Sequence, residues 1–216
     1  MQPEILKVNS KEPEMSLVAY VAERIRSGHV LGMPTDTFYG LAADPYNLRA
    51  VDRVYEIKTR GRHKPLSLLI ESIEQAEDLA DFLPDEFKEL AKKFWPGPMT
   101  LIVKAAAGLP LKVTANTGNI AIRIPAAAIP MAVIKAAKLP ITATSANLSG
   151  AVECTTAMAV REQLQDRLPL IVDGGTSPRS MASTIINLSE TKGQRWKVLR
   201  EGAIPVSEVE AVLGRA

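Results

Sequence analysis

The densest group of side chains that could hold a ligand lies between Lys58 and Pro65. Four permanent cations and one histidine fall within seven residues of this segment. A guanidinium offers paired donors and an ammonium a point charge, and both suit phosphate. We therefore expect a site for a phosphate-bearing ligand or, because most charge runs are solvated, a basic surface loop. The segment consists of Lys58, Thr59, Arg60, Gly61, Arg62, His63, Lys64 and Pro65.

A single cation interrupts an apolar strand further along the chain. Arg123 lies within Ile120–Pro125 and has an isoleucine on each side. A buried guanidinium needs a partner, and a bound anion is one candidate, whereas a guanidinium facing outward would be solvated. The sequence leaves both interpretations open.

Hydroxyl and amide groups follow two predicted strands. Thr35 and Thr37 lie in the turn Pro34–Leu41, and Ser145 and Asn147 lie two residues apart after another strand. Open α/β sheets place ligand-binding loops at strand ends, although the same residue types also build ordinary turns.

Together these side chains suit electrostatic catalysis on a phosphoryl group, which needs phosphates held and developing charge neutralised without a covalent intermediate. The cations are Lys58, Arg60, Arg62, Lys64, Arg123 and Arg200, and the hydroxyl-bearing residues are Thr35, Thr37, Ser67, Ser145, Ser183 and Thr184.

Other function classes find no support in the sequence. It has no Walker A motif, no GxGxxG after a strand and no nucleophile elbow. With His29, His63 and Cys154 as its only histidines and cysteine, it predicts neither a Cys/His zinc site nor an intrachain disulfide. The single cysteine is typical of a reducing compartment.

Composition indicates a folded protein of the cytoplasm. The chain has 216 residues, of which 46% are apolar and 23% charged, so it can bury a sizeable core. Its net charge of +2 argues against a uniformly basic surface but permits one basic face. Residues 1–15 lack the apolar segment of a signal peptide, and Pro125–Pro140 is too short to span a bilayer. We expect no membrane association.

Apolar periodicity predicts helices and strands without regular βαβ alternation, and hence one α/β domain over residues 1–216 with a mixed sheet flanked by helices. The predicted helices are Glu14–Ser27, Leu48–Lys58, Ser72–Phe82, Pro84–Phe94, Pro130–Lys138, Thr155–Leu164 and a last one opened by a capping box at Ser207–Glu210. The predicted strands are Val30–Met33, Leu66–Ile70, Met99–Val103, Ile120–Pro125, Leu170–Val172, Ser183–Leu188 and Trp196–Leu199.

Seven motifs occur in the order and with the spacing of a known family. The chain resembles the YrdC/TsaC family of L-threonylcarbamoyladenylate synthases, in its short single-domain form, over nearly its whole length. The motifs are Pro34-Thr35-Asp36-Thr37 with Tyr39-Gly40-Leu41, Lys58-x-Arg60 with Lys64-Pro65-Leu66, Pro96-Gly97-Pro98-Met99-Thr100, Arg123-Ile124-Pro125, Ser145-Ala146-Asn147-x-Ser149-Gly150, Ser183-Thr184-Ile185 and Leu199-Arg200-x-Gly202.

The resemblance implies a twisted YrdC-like α/β fold with a concave, positively charged cavity. It also implies that L-threonine, bicarbonate or CO2, and ATP, with magnesium, give threonylcarbamoyl-AMP and pyrophosphate. The product would serve the threonylcarbamoyladenosine modification of tRNA, which a separate transferase complex completes. Direct contact with tRNA is a further expectation.

The resemblance also implies roles for individual residues, with Arg123 pairing with the threonine carboxylate. Catalytic roles fall to Lys58 and Arg60, ATP binding to Arg60, Lys64, Ser145, Asn147 and Arg200, and threonine binding to Thr35, Thr37, Arg123 and Ser183. Two departures from the family pattern affect this assignment: Leu69 stands where longer members have histidine, and Ala151-Val152-Glu153 replaces a small, often serine-containing stretch.

Two other functions remain open. The same cations could bind structured RNA without chemistry, although 5% aromatic residues disfavour base stacking. Alternatively, the chain could be a paralogue that acts on another carbamoyl-type adenylate.

Overall fold

The computed structural model describes residues 2–178, 181–189 and 195–214. It contains eleven strands and seven α-helices within these ranges. In chain order they are β1 (Glu4–Lys7), α1 (Met15–Arg26), β2 (Leu31–Met33), β3 (Gly40–Ala42), α2 (Leu48–Lys58), β4 (Ser67–Leu69), α3 (Ile73–Leu79), α4 (Asp85–Phe94), β5 (Met99–Lys104), β6 (Asn119–Arg123), α5 (Ala128–Ala137), β7 (Ile141–Thr142), β8 (Thr144–Ser145), α6 (Ala157–Leu164), β9 (Leu170–Asp173), β10 (Thr184–Asn187), β11 (Lys197–Arg200) and α7 (Val206–Leu213).

The strands form two mixed sheets. One has the order β1-β9-β2-β3-β8 and the other β11-β10-β5-β6-β4-β7. Parallel pairs such as β1–β9 and β4–β6 adjoin antiparallel pairs such as β2–β3 and β5–β6. The predicted mixed α/β fold flanked by helices is therefore confirmed, with its strands divided between two sheets.

The two sheets come together at Ala143. β7, immediately before it, pairs with β4 in one sheet, and β8, immediately after it, pairs with β3 in the other. The Ala143 amide donates to the Ser67 carbonyl and the Thr142 amide to the Ala43 carbonyl. This crossing places the loop after Ser145 beside residues of both sheets.

Local sequence signals explain the position of α2, which carries the start of the basic segment. The Asn47 side chain accepts hydrogen bonds from the amides of Arg49 and Ala50, which confirms the predicted N-cap. At the other end Thr59 adopts a left-handed conformation with φ of 48° and ends the helix directly after Lys58.

Three local predictions were incomplete or wrong. β1 was not predicted, and β3 overlaps the stretch predicted as a turn, Pro34–Leu41. The last helix follows Pro205 without a side-chain cap, so the capping box at Ser207–Glu210 is wrong. Thr184 holds this region instead, because its Oγ1 accepts from the Ile204 amide and donates to the Ile204 carbonyl.

The core lies between the sheets and the helices that cover them. Phe87 on α4 and Trp95 contact edge to face, with ring centroids 5.3 Å apart.

Among the described residues, no helix combines the length and hydropathy needed to cross a membrane.

The segment after β11 passes so close to the start of β10 that Gly202 is required. A Cβ on Gly202 would overlap the Ala182 carbonyl and the Ser183 backbone. We predict that Gly202→Ala lowers the free energy of unfolding by about 2–3 kcal/mol, as overpacking does. Gly108→Ala is the control, because a Cβ there contacts nothing within 4 Å. Equal denaturant midpoints for the two variants would contradict the prediction.

Candidate active site

The main cavity, as we call it, lies where the two sheets meet. Residues of β3, β4, β5, β6, β8, β10 and β11 or of adjacent loops contribute to its wall. It encloses about 170 Å³, less than the ~300–1,000 Å³ of typical drug-sized ligand pockets. Its lining is Thr35, Thr37, Phe38, Tyr39, Gly40, Arg60, Ser67, Leu69, Thr100, Arg123, Ala143, Thr144, Ser145, Glu153, Ala182, Ser183, Ile185 and Arg200.

Most of the residues predicted from the sequence meet in this cavity. Lys58, Lys64 and Asn147 are not part of its wall. Lys64 is exposed, whereas Lys58 and Asn147 are buried. The predicted residues that line it are Thr35, Thr37, Arg60, Arg123, Ser145, Ser183 and Arg200.

Arg123, at the end of β6, is held in place by a buried ion pair. Its Nη2 lies 2.5 Å from Asp36 Oδ1, and both side chains are less than a tenth exposed. Its Nε donates to the Gly97 carbonyl at 2.8 Å and its Nη1 to Thr37 Oγ1 at 3.2 Å. The interpretation of Arg123 as an outward-facing, solvated cation is therefore wrong. A protein carboxylate supplies the charge that balances it.

The turn after β2 fixes its own hydroxyl groups. Thr35 Oγ1 donates to the Phe38 carbonyl at 2.7 Å and accepts from the Thr37 amide at 3.1 Å. The two threonine hydroxyls lie 3.1 Å apart. The Thr35 hydroxyl is thus held by local backbone and the Thr37 hydroxyl by Thr35 and Arg123, and both residues line the main cavity.

A second polar group forms where β5, β10 and β11 adjoin. Arg200 Nε donates to the Ser183 carbonyl and its Nη2 to Ser183 Oγ, each at 3.0 Å. Thr100 Oγ1 lies 2.8 Å from the same Ser183 hydroxyl. Burial lowers the pKa of Arg200, but a guanidinium remains charged at neutral pH.

Lys58 acts as a brace for the loop after β8. Its ammonium donates to Asn147 Oδ1 at 2.8 Å, to the Asn147 carbonyl at 2.9 Å and to the Ser145 carbonyl. Ser145 Oγ donates to the same Asn147 Oδ1 at 2.7 Å. Burial, followed by repulsion from Arg60, lowers the pKa of Lys58 to about 8. Its donors are thus engaged by protein oxygens.

The basic segment separates into groups with different surroundings. Arg60 lines the main cavity, and its buried Nε has no hydrogen-bond partner among the described residues. Arg62 instead pairs with Asp52 at 2.8 Å on the surface. The left-handed Thr59 turns the chain between Lys58 and Arg60, so the predicted cluster does not act as one unit.

Several lining residues were not assigned roles from the sequence. Among the described residues of the main-cavity wall, Glu153 is the only one with a carboxylate. Thr100 belongs to one of the seven family motifs, and this membership is the feature of the sequence that could have marked it as a site residue. Leu69, which occupies the position of a family histidine, also lies in the wall. Asp36, which does not line the main cavity, also belongs to a recognised motif. The motif does not predict its ion pair with Arg123, because Arg123 is 87 residues away in the sequence.

The described residues were compared with the side-chain clusters that usually bind metals. They contain no group of three or more histidine, cysteine, aspartate or glutamate side chains placed to hold a metal.

The chain is thus a mixed α/β protein in which two sheets meet at a cavity lined by three arginines and several hydroxyls. Residues 23–202 match the sequence model of the Sua5/YciO/YrdC family, which carries the description telomere recombination. The chain belongs to this family.

Curated relatives and a solved structure extend the match. The chain is 39% identical over 192 residues to threonylcarbamoyl-AMP synthase of Pyrococcus abyssi, covering 88% of this chain and 55% of that protein. It is 37% identical over 209 residues to threonylcarbamoyl-AMP synthase of Bacillus subtilis, covering 96% and 59%. The crystal structure of P. abyssi Sua5 complexed with L-threonine superposes with a TM-score of 0.92 at 37% identity, covering 97% and 61%. The chain thus spans less than two thirds of these relatives.

The hydrogen bonds of Lys58 lead us to predict that this residue contributes to the stability of the fold. Lys58→Met keeps most of the length of the side chain but leaves the Ser145 and Asn147 carbonyls without the Lys58 donor, while Asn147 Oδ1 keeps only the Ser145 hydroxyl. We predict a loss of about 2–4 kcal/mol in the free energy of unfolding. The control, Lys64→Met, changes an exposed lysine and should stay within about 0.5 kcal/mol of the wild type. Chemical denaturation measures both, and similar values would contradict the brace.

Proposed function

We propose that the chain is an L-threonylcarbamoyladenylate synthase, a nucleotidyltransferase. It combines L-threonine, bicarbonate or CO2, and ATP into threonylcarbamoyl-AMP and pyrophosphate. The observation that carries the proposal is the convergence of Arg60, Arg123 and Arg200 with several hydroxyls on one cavity. The names of the relatives, and the L-threonine in the P. abyssi Sua5 structure, support the choice of substrates.

The inner part of the main cavity is the proposed threonine site. Its enclosed volume of about 170 Å³ suits an amino acid better than a whole nucleotide. Thr35, Thr37 and Ser183 offer hydroxyl groups for polar contacts with threonine. Arg123 would face the threonine carboxylate while Asp36 fixes its orientation, since the guanidinium has donors for more than one partner.

ATP would extend from this cavity towards the basic segment. Arg60 has an unpartnered buried Nε at the wall, and Arg200 approaches from β11, so these two guanidiniums would hold the phosphates. Lys64 is exposed and would contact phosphate only at the mouth of the cavity. The contacts of Lys58 favour a positioning role through Ser145 and Asn147 over direct contact with phosphate.

The reaction follows from this arrangement. The threonine amine adds to CO2, loses a proton and becomes a carbamate. A carbamate oxygen then attacks the α-phosphorus, while the bond from that phosphorus to the bridging oxygen of the β-phosphate breaks and pyrophosphate leaves with the electron pair. Fixed guanidiniums stabilise the negative charge that develops on the phosphates, because they need no reorganisation during the step. Magnesium bound to ATP would supply further charge stabilisation.

The wider setting also belongs to the proposal. The product would be used by a separate tRNA threonylcarbamoyl-transferase complex in the cytoplasm. Direct contact between this chain and tRNA would involve exposed cations such as Arg62 and Lys64. Both follow Arg60, a residue of the main-cavity wall, within four positions in the sequence.

The experiment measures the release of pyrophosphate from ATP in the presence of magnesium. We predict release that requires both L-threonine and bicarbonate and that L-serine does not support equally. Arg60→Ala should reduce the rate by about 10²–10³-fold, the usual effect of removing one preorganised donor. Arg62→Ala removes a neighbouring arginine that is paired on the surface, and it should keep a rate close to that of the wild type.

Other outcomes would overturn the proposal. ATP binding without threonine-dependent release would indicate a paralogue with another substrate. Failure to bind ATP, together with salt-sensitive RNA binding, would indicate an RNA-binding module.

A further inference from the structure

Glu153 brings a negative charge into a cavity whose other charged side chains are guanidiniums. Among the described residues of the wall, its carboxylate accompanies Arg60, Arg123 and Arg200. It belongs to Ala151-Val152-Glu153, the stretch that departs from the family pattern. A carboxylate repels phosphate and therefore opposes the binding of a triphosphate. Its presence in the wall calls for a ligand group of positive charge.

The carboxylate of Glu153 is accessible to a ligand. The residue is half-buried, and its oxygens are not among the buried polar atoms that lack a partner. Within the part of the chain that the structure describes, no hydrogen bond or ion pair occupies these oxygens. They can therefore accept hydrogen bonds from a molecule in the main cavity.

The backbone on both sides of Glu153 is held in place. The Val152 carbonyl accepts a hydrogen bond from Gln163 Nε2 at 3.1 Å, and the Cys154 carbonyl accepts one from the Tyr39 amide at 2.9 Å. Val152 is 83% exposed, whereas Cys154 is buried, so the chain enters the core at Glu153. A carboxylate on a fixed backbone loses less conformational entropy when it binds a ligand.

The charges of the main cavity are arranged as a zwitterion requires. The negative charge of Glu153 opposes the lowering of the pKa of Arg200, whereas the charge of Arg123 adds to it. Arg200 is therefore close enough to both residues to respond to their charges. A ligand carboxylate is favoured beside the guanidiniums, and a ligand ammonium is favoured at Glu153, because guanidiniums repel an ammonium and have no acceptor for its hydrogen bonds.

We propose that Glu153 binds the α-ammonium of the amino-acid substrate and so selects α-amino acids over acids that lack the amine. The ammonium donates hydrogen bonds to the Glu153 carboxylate while the carboxylate of the substrate faces Arg123. The proposal rests on the threonine site proposed above, and it concerns binding of the zwitterion before any bond forms.

The test measures the Kd of L-threonine by calorimetry for the full chain and for Glu153→Gln. The glutamine keeps the shape of the side chain but removes its charge, so we expect binding to weaken by about 10- to 100-fold, the usual effect of losing a charge-assisted hydrogen bond. Glu162→Gln makes the same substitution at an exposed residue of α6 and should leave the Kd within about twofold.

Two further ligands separate the ammonium contact from a general effect on the cavity. (R)-3-Hydroxybutyrate is L-threonine without its ammonium, and ligand-observed NMR reports its binding even when it is weak. Glu153→Gln should bind this acid and magnesium–ATP at least as tightly as the wild type does, because the substitution removes a repulsive charge. Chemical denaturation checks that the variant is folded.

Each other outcome refutes the role of Glu153. Equal affinity of the wild type and Glu153→Gln for L-threonine would refute it while leaving the threonine site in place. Equal weakening of L-threonine and (R)-3-hydroxybutyrate would show damage to the cavity in place of a lost ammonium contact. Weaker binding of magnesium–ATP with unchanged L-threonine would assign Glu153 to the metal. A wild type that binds no L-threonine would overturn the proposed threonine site as well.

Discussion

The buried ion pair between Asp36 and Arg123 joins the turn after β2, in one sheet, to the end of β6, in the other. Removing either partner would leave a buried charge without compensation, which typically costs about 3–5 kcal/mol. The pair also fixes Thr37 through Arg123 Nη1 and contacts the connector at Gly97. Together with the backbone contacts around Ala143, the ion pair holds the two sheets in position at the cavity.

Protein oxygens hold three described cations around the site. Arg123 pairs with Asp36, Arg200, which is exposed, is anchored on Ser183, and the buried Lys58 is anchored on the loop that contains Ser145 and Asn147. Charges held in this way keep their orientation when a ligand binds, which is the condition for electrostatic catalysis on phosphates. The two neighbouring cations Lys58 and Arg60 have different roles, because Lys58 positions a loop while Arg60 lines the cavity.

Local features of the fold were predictable from the sequence, whereas long-range contacts were not. Asn47 predicts the start of α2, because a cap acts on amides two and three residues away. The charge pattern from Lys58 to Lys64 gave no means of telling which cations face the cavity, since the left-handed Thr59 decides it. Likewise, Lys58 and Arg123 find partners 86–89 residues away, and the division of the strands at Ala143 depends on pairing between distant segments.

The most direct test of the proposed chemistry is to identify the product made from ¹³C-labelled bicarbonate by mass spectrometry. With L-threonine, ATP and magnesium present, the account predicts threonylcarbamoyl-AMP that carries the labelled carbon in its carbamoyl group, formed in equal amount with pyrophosphate. Formation of unlabelled threonyl-AMP, or of ADP and phosphate in place of an AMP-linked product, would contradict the account.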